Sequence, residues 1–377
     1  MTRKRDRKEI VYINQSSGYL MVDIINAKES SYHKTLLAGK IVERNNKLDE
    51  NVKVRYTIPY NRKNKITRIF TWVWSFIQML FWVKFKHRHS ELFIVSNPPF
   101  SSFIPLFCSN RYSILIYDVY PDILTEMGWF KPSSIVISFW QKLNKKVYLS
   151  AEKVYTLNES MKKKLTKYVS EDKITIVPIW TDNNFFQPIE KKNNLFIKKQ
   201  ALTNKFIVMY SGNLGLTHDV EIIPEIANLI NIPEIEFIII GEGDKRSLLD
   251  QKIKELKLIN CKLLPLQEIS MLPSSLSAAD ISIVTLGKEA SNSSIPSKVF
   301  NIMSVGTPVL GITKIESELS NIILKNEIGA VFEREQIHEI KDFILNLYHD
   351  EHLVKKYKQN AILCSQMYSS ENAKLFN

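Results

Sequence analysis

Short apolar runs rich in Ile, Val and Phe recur along the chain, separated by longer stretches that mix polar and apolar residues at helical spacing. A strand covered on both faces reads as a continuous apolar run, so this alternation predicts parallel sheets wrapped by helices in both halves. In the first half the runs predict strands near 10–13, 52–57, 92–96, 113–117, 153–156 and 174–177. Helices are expected between them, notably one before Lys47 and one over 134–149. In the second half strands are expected over 206–210, 236–240, 262–264, 281–285, 308–312 and 330–332, with helices from about Asp219 and up to about Lys257. The polar, aromatic stretch 180–188 (WTDNNFFQP) and the lysine-rich segment after it interrupt the pattern and place a linker there. The division expected is 1–188, 189–350 and a C-terminal helical segment 351–377 that packs back toward the first domain.

Length and charge refine this picture. A chain of 377 residues suits two domains that each bury a core. Three cysteines, Cys108, Cys261 and Cys364, lie far apart with no Cys-x-x-Cys pair, so neither a disulfide framework nor a zinc knuckle is indicated, which fits a reducing cytoplasm. The net charge of +12 asks for a polyanionic partner. Much of it lies early, at residues 3–8, at Arg62, Lys63, Lys65 and Arg68, and at Lys84, Lys86 and Arg88. The last two clusters bracket the run 69–83 (IFTWVWSFIQMLFWV), and basic residues on both sides of greasy ones point to anionic lipid rather than nucleic acid. At 15 residues the run falls short of the roughly 20 needed to span a bilayer, so it is expected to lie on or dip into the membrane. Trp72, Trp74 and Trp82 would then sit at headgroup level, with Arg68 and Lys84 reaching phosphates; burial as a core helix is the alternative. The chain opens with no secretory signal, and the expectation is a cytoplasmic protein peripheral on the membrane.

Candidate chemistry gathers in the second half. The run Ser294-Ile295-Pro296-Ser297-Lys298 joins a polar loop to a helix start, where Ser297 is expected to cap the helix and Lys298 to add charge beside unpaired N–H groups. Gly306-Thr307-Pro308 should end that helix before a buried strand. Gly212 and Gly215 flank a loop that follows a strand and lets backbone approach a ligand, and Arg246 follows a second glycine turn, Gly241-Glu242-Gly243. In such sheets ligands sit at the carboxyl ends of the strands, where all three elements fall. His349-Asp350-Glu351-His352 has ligand-like spacing but reads better as an exposed helix turn, and neither a metal nor another cofactor is expected.

With Pro296-Ser297-Lys298, the following Gly306-Thr307-Pro308-Val309, Asn97-Pro98-Pro99-Phe100, Tyr117-Asp118-Val119-Tyr120-Pro121-Asp122 and Val177-Pro178-Ile179-Trp180-Thr181-Asp182, the chain resembles the family 4 glycosyltransferases. The branch it resembles is that of bacterial capsule and O-antigen enzymes with a Pro-Ser-Lys element. The resemblance implies an α/β protein of GT-B fold, two Rossmann-like domains with parallel sheets facing across a cleft. It implies an N-terminal acceptor-binding domain and a C-terminal donor-binding domain, joined in a retaining transferase of hexosyl or N-acetylhexosaminyl groups. The donor would be a UDP- or GDP-linked nucleotide sugar, and the acceptor a saccharide on polyprenyl diphosphate at the inner leaflet of the cytoplasmic membrane.

The chain departs from the family where charge is usual. Asn213 and His218 stand in place of an Arg and a Lys that hold the diphosphate, and Ser293 and Asn301 in place of a glutamate pair. Diphosphate charge would then fall on Lys298 and Arg246, with Ser291, Asn292, Ser294 and Ser297 available to sugar hydroxyls or phosphate. On the acceptor side Asp118 is the candidate to bind or deprotonate a hydroxyl, with Gly18, Asp122 and Glu126 near it; helix capping is the alternative for Asp118 and Asp122. Two rival readings stay open, a nucleotide-sugar epimerase of related architecture and a non-catalytic membrane scaffold with a decayed donor site; Gly241-Glu242-Gly243 also prompts a dehydrogenase, but its glycines are too few and the N-terminal strand lacks a Gly-x-Gly-x-x-Gly turn.

Overall fold

The computed structural model describes residues 8–44, 46–61, 63–126, 128, 130–287 and 295–377, for Lys65 and Glu126 the backbone alone. The chain divides into two compact units, 1–179 with 370–377 and 180–369. The polar stretch 180–188 lies within the second unit.

The first unit alternates strands and helices in the order β1 (Glu9–Ile13), α1 (Tyr19–Ala27), β2 (His33–Ala38), β3 (Lys53–Tyr56), α2 (Lys65–Lys86), β4 (Glu91–Val95), β5 (Tyr112–Leu115), α3 (Ile135–Ser150), β6 (Lys153–Thr156) and β7 (Ile174–Ile176). The seven strands of its main sheet lie in the order β3-β2-β1-β4-β5-β6-β7 and pair in parallel, Glu9 opposite His33 on one side and Ile10 opposite Glu91 on the other. Helices cover both faces, so Val11, Ile13, Ile94 and Ile114 are fully buried. The helix expected before Lys47 is α1, but strand β2 after it was not anticipated. Its sequence HKTLLA lacks a β-branched apolar run, and Lys34 is buried, its ammonium donating to the Ile25 carbonyl (2.8 Å) and lying 3.8 Å from Asp49.

The second unit repeats the plan with β8 (Phe206–Ser211), α4 (Ile222–Asn228), β9 (Ile235–Ile240), α5 (Arg246–Glu255), β10 (Cys261–Leu264), β11 (Ile281–Thr285), α6 (Lys298–Ser304), β12 (Val309–Ile312), β13 (Gly329–Phe332), α7 (Ile337–His349) and α8 (Glu351–Ser365). Its strand order is β10-β9-β8-β11-β12-β13, again all parallel. Both sheets therefore reverse direction of winding beside their first strand, between β1 and β4 and between β8 and β11, and such switch points open a crevice at the strand carboxyl ends. Asp350 joins the last two long helices, its carboxylate accepting from Leu353 N (2.9 Å) as an N-cap, which gives the His349–His352 turn a structural role.

Helix α2 is longer than the apolar run suggests. Asn64 and Thr67 form a reciprocal capping box at its start (2.8 and 3.2 Å), and Lys84 and Lys86 complement the dipole in its last turn. Its 22 residues span about 33 Å, and among the described residues this is the one helix long and apolar enough, by length and composition, to cross a membrane. The helix has two unlike faces. Met79 and Val83 are fully buried in the core, and Trp72, 6 % exposed, stacks on Tyr60 (5.8 Å) and meets Phe100 and Tyr120 edge-on. Trp72 thus belongs to the interior rather than to a lipid-facing surface, because its position on the helix turns it toward the Pro98-Pro99 loop. Trp74 is 47 % exposed and stacks on Phe70, while Trp82 is half-buried beneath the Arg55 guanidinium (5.1 Å). Replacing Trp72 by Ala should cost about 3–5 kcal/mol of stability, and the same change at Trp74 within about 0.5 kcal/mol, measured by denaturant unfolding.

Candidate donor site

The first strand of the second unit sets the site. Along β8 the buried Tyr210 points its ring to one face, and its hydroxyl donates to the Asn213 carbonyl (2.7 Å), which curls the chain over the strand end. Gly212 follows with φ +149°, and its N–H donates to Ile240 O (2.9 Å) while Leu214 N donates to Glu242 O (2.9 Å). The two glycine loops after β8 and β9 are therefore laced together by backbone. This contact explains Gly241: a Cβ there would stand 2.1 Å from the Gly212 carbonyl oxygen, which no side chain allows. Gly241-Glu242-Gly243 is thus occupied by packing against its neighbour loop, and the dehydrogenase reading loses its motif.

Lys298 reaches the same place from helix α6. Its stem is partly exposed, but Nζ is buried 3.8 Å from the centre of the Tyr210 ring, and a Cβ on Gly212 would lie 2.9 Å from it. Nζ has no hydrogen-bond partner among the described residues, and burial pulls its pKa down to about 7. The ring face of Tyr210 attracts the cation but offers no acceptor.

His218 closes the loop. Its Nδ1 donates to the Thr285 carbonyl (2.9 Å) at the end of β11, and Gly287 N donates to Thr217 O (2.9 Å), so the loop after β8 is tied across the switch point. Because a carbonyl only accepts, Nδ1 carries the proton and Nε2 bears the lone pair. Burial lowers the His218 pKa, and the nearby Lys298 and Lys245 charges lower it further against the Thr285 hydrogen bond, so the ring is neutral at pH 7. Lys245 is engaged elsewhere, paired with Glu221 (2.6 Å) and donating to His218 O (2.7 Å).

The other donor-side candidates lie around this centre in different states. Arg246 Nη1 donates to Gly241 O (2.6 Å) and Leu264 O (3.1 Å) and lies 3.5 Å from Glu242, clamping the ends of β9 and β10. Asn301 is one turn beyond Lys298 on α6, its Oδ1 accepting from the hydroxyl of the fully buried Thr181 (2.6 Å). Gly215 is buried beneath Asn213, whose side chain is exposed. Ser297 precedes α6 but does not cap it with its side chain, against expectation. Its backbone is already helical (φ −57°, ψ −19°), which turns the hydroxyl out to solvent, and Val299 N and Phe300 N donate instead to the carbonyls of Pro296 and Ser297. The helix ends as expected, with Gly306 N and Thr307 N donating to Met303 O and Ile302 O. Ser291, Asn292, Ser293 and Ser294 lie outside the described residues, as does the side chain of Glu126.

The acceptor-side candidates belong to the first unit. Asp118 follows β5 near the sheet's switch point; its N–H and that of Tyr117 approach Ser96 Oγ (3.5 and 3.0 Å), and burial raises its pKa above the usual carboxylate range. Tyr117 is raised too, which removes it as a base. Gly18 precedes α1 in the β1 crevice, and a Cβ there would have nothing within 4 Å. Asp122 is committed to its own fold, paired with Lys167 and accepting from Tyr168 Oη (3.3 Å) and Gln141 Nε2 (3.4 Å). Sequence reasoning missed Tyr210, Thr285 and Thr181. Only the position of Tyr210, two residues before Gly212 on a strand, signalled that its ring shares a face with the loop.

Residues 191–363 match the model of the glycosyl transferases group 1 family. The chain is similar to the probable glycosyltransferase WbjE of Pseudomonas aeruginosa, 24% identical over 58% of this chain and 55% of that protein. It is similar also to the putative colanic acid biosynthesis glycosyl transferase WcaI of Escherichia coli (strain K12), 27% identical over 46% of this chain and 43% of that protein. The chain thus spans about half the length of these curated relatives. Its backbone is similar to that of Anabaena Alr3699/HepE, solved in complex with UDP-glucose, at a TM-score of 0.71 and 13% identity over 97% of both chains. Two parallel sheets of this order and that likeness make the fold GT-B, and residues 191–363 form a glycosyl transferases group 1 domain.

Proposed function

We propose that this chain is a retaining glycosyltransferase that binds a nucleotide-sugar donor through Lys298 and moves its sugar to a lipid-linked saccharide in polysaccharide assembly. The observation that carries the donor half is the Lys298 ammonium, buried beside a glycine loop at the β8–β11 switch point without a hydrogen-bond acceptor among the described residues. A buried cation in that state is costly, and a diphosphate supplies the missing charge and acceptors together. The UDP-glucose bound by the Anabaena neighbour supports the same donor class.

In the transfer, the acceptor oxygen bonds to the anomeric carbon as the bond from that carbon to the diphosphate breaks. The bonding pair passes to the leaving phosphate, where Lys298 opposes the growing charge. The proton of the acceptor hydroxyl goes to a base, for which Asp118 is suited because burial brings its pKa nearer to neutrality. Neutral His218 offers Nε2 as an acceptor for a sugar hydroxyl, and Asn301, Gly215 and the Asn213 side chain contribute polar contacts around it. Arg246 acts here through the backbone it clamps. No metal or cofactor is required in this scheme.

The acceptor half rests on the first unit, whose α2 presents apolar residues beside lysines, as suits an enzyme working on the cytoplasmic face of a membrane. UDP and GDP, and hexosyl or N-acetylhexosaminyl groups, are all compatible with the site as described. Gly18 and Asp118 would meet the acceptor.

Changing Lys298 to Ala should weaken UDP or GDP binding by about 1.5–3 kcal/mol in calorimetry, whereas unaltered affinity for both would remove Lys298 from the site. The same amine sets a pH dependence. In the free protein it loses its proton as pH rises through about 7, and an anion holds the proton on, so binding takes up a proton above that pH. Affinity for UDP should then fall on the order of tenfold per unit above about pH 7.5, with neutral His218 contributing nothing, and Lys298→Arg should flatten the profile. A flat wild-type profile would show that Nζ does not meet the phosphates.

A further inference from the structure

Two helices of the first unit hold large apolar side chains in solvent. On α2 the residues Ile66, Phe70, Trp74, Ile77, Phe81 and Phe85 are all exposed, and their spacings of four, four, three, four and four keep them on one stripe. On α3 the first turns expose Ile135 (86 %), Val136 and Phe139 (62 %), none of which the sequence pattern singled out. The segment Pro99–Phe107 lies between the two helices and joins them through aromatic contacts. Phe107 meets Phe76 of α2 at 6.0 Å, and Phe100 and Phe103 meet Trp140 of α3 at 5.5 and 5.9 Å. Phe107 is itself exposed.

Charge identifies what covers such a face. Residues 1–179 with 370–377 contain 31 Lys and Arg against 16 Asp and Glu, a net +15, whereas residues 180–369 contain 20 against 23, a net −3. All the excess positive charge is thus in the unit with the exposed apolar helices. Lys63, Lys84, Lys86 and Arg88 stand exposed at the ends of α2, and the exposed Lys142, Lys145 and Lys146 continue α3 beyond its apolar turns. Protein interfaces are depleted in lysine, whereas a greasy stripe rimmed by lysines that can reach phosphates suits an anionic bilayer.

We propose that α2 and α3 together form a docking face that lies in the headgroup region of an anionic membrane, with Ile135, Val136 and Phe139 as a second anchor beside the α2 stripe. The opposite side of α2 fixes the mode. Met79 and Val83 are fully buried, with Phe76, Leu80 and Trp82 packed against the same core, so the helix stays in its domain and lies along the membrane rather than across it. This deepens the reading of a lipid-linked acceptor and rests on it.

The test is co-sedimentation of the full chain with phosphatidylcholine vesicles made with or without phosphatidylglycerol. The wild type should bind the anionic vesicles, less so in high salt, and the double variant Ile135→Glu, Phe139→Glu should lose at least about tenfold in partition coefficient, the equivalent of one exposed apolar side chain. Both changes are on the surface, and thermal unfolding and far-UV circular dichroism matching the wild type would show that the variant is folded. Equal vesicle binding by variant and wild type would overturn the role of α3, and equal binding to neutral vesicles would overturn the anionic preference. A wild type that forms dimers, ignores vesicles and becomes monomeric in the variant would make this face a protein interface instead. If wild type binds vesicles through α3 yet binds no nucleotide, the donor reading fails and the docking face stands.

Discussion

A parallel sheet has to be covered on both faces, and most of what this chain does follows from that constraint. It favours strands that are largely apolar, as in the buried Ile235–Ile240 where Glu236 is the one charged residue, and it places helices in most of the crossovers. It also leaves the strand ends to the loops, and at the carboxyl ends the switch point opens a crevice between them. Polar chemistry is therefore confined to those ends, and within each unit the switch point is where the loops part most. The glycine loop, Lys298 and His218 meet in the second unit at that position for a topological reason, before any chemical one.

The same constraint explains how legible the chain is. The runs at 206–210, 236–240 and 281–285 could be placed within a residue or so because both faces of each strand are dry, and every position tells the same story. Strand His33–Ala38 was not legible, because it is led by a buried lysine whose partners, the Ile25 carbonyl and Asp49, come from other parts of the chain. Helix α2 was legible as an apolar run but not as two faces, since Trp72 and Trp74 are two residues apart and only packing tells which one turns inward. In the site, Lys298 and Gly212 were each visible as residue types, but not their contact. The hydroxyl of Ser297 was assigned to a cap by its type alone, and the backbone it actually adopts made that impossible. The carbonyl of Thr285 left no trace in the sequence, because every residue has one.

The two units differ in what they spend stability on. The second holds a cation that has no acceptor among the described residues, and the first leaves a row of aromatic and aliphatic side chains uncovered. Both are local departures from an otherwise consistent fold, and such departures are where function is expected. Arg246 shows the converse: a charged residue at a suggestive position whose hydrogen bonds go to two strand-end carbonyls, so that its contribution is to keep the loops above it in place.

The Tyr210–Lys298 contact has one more consequence. An amine whose pKa lies near 7 is partly uncharged under ordinary conditions, and an uncharged amine is a nucleophile where a surface lysine is not. The feature that makes Lys298 costly to bury therefore also makes it chemically singular. An anionic aldehyde or acylating reagent small enough to enter beside Gly212 would modify this side chain ahead of ordinary surface lysines, giving the loop a covalent handle.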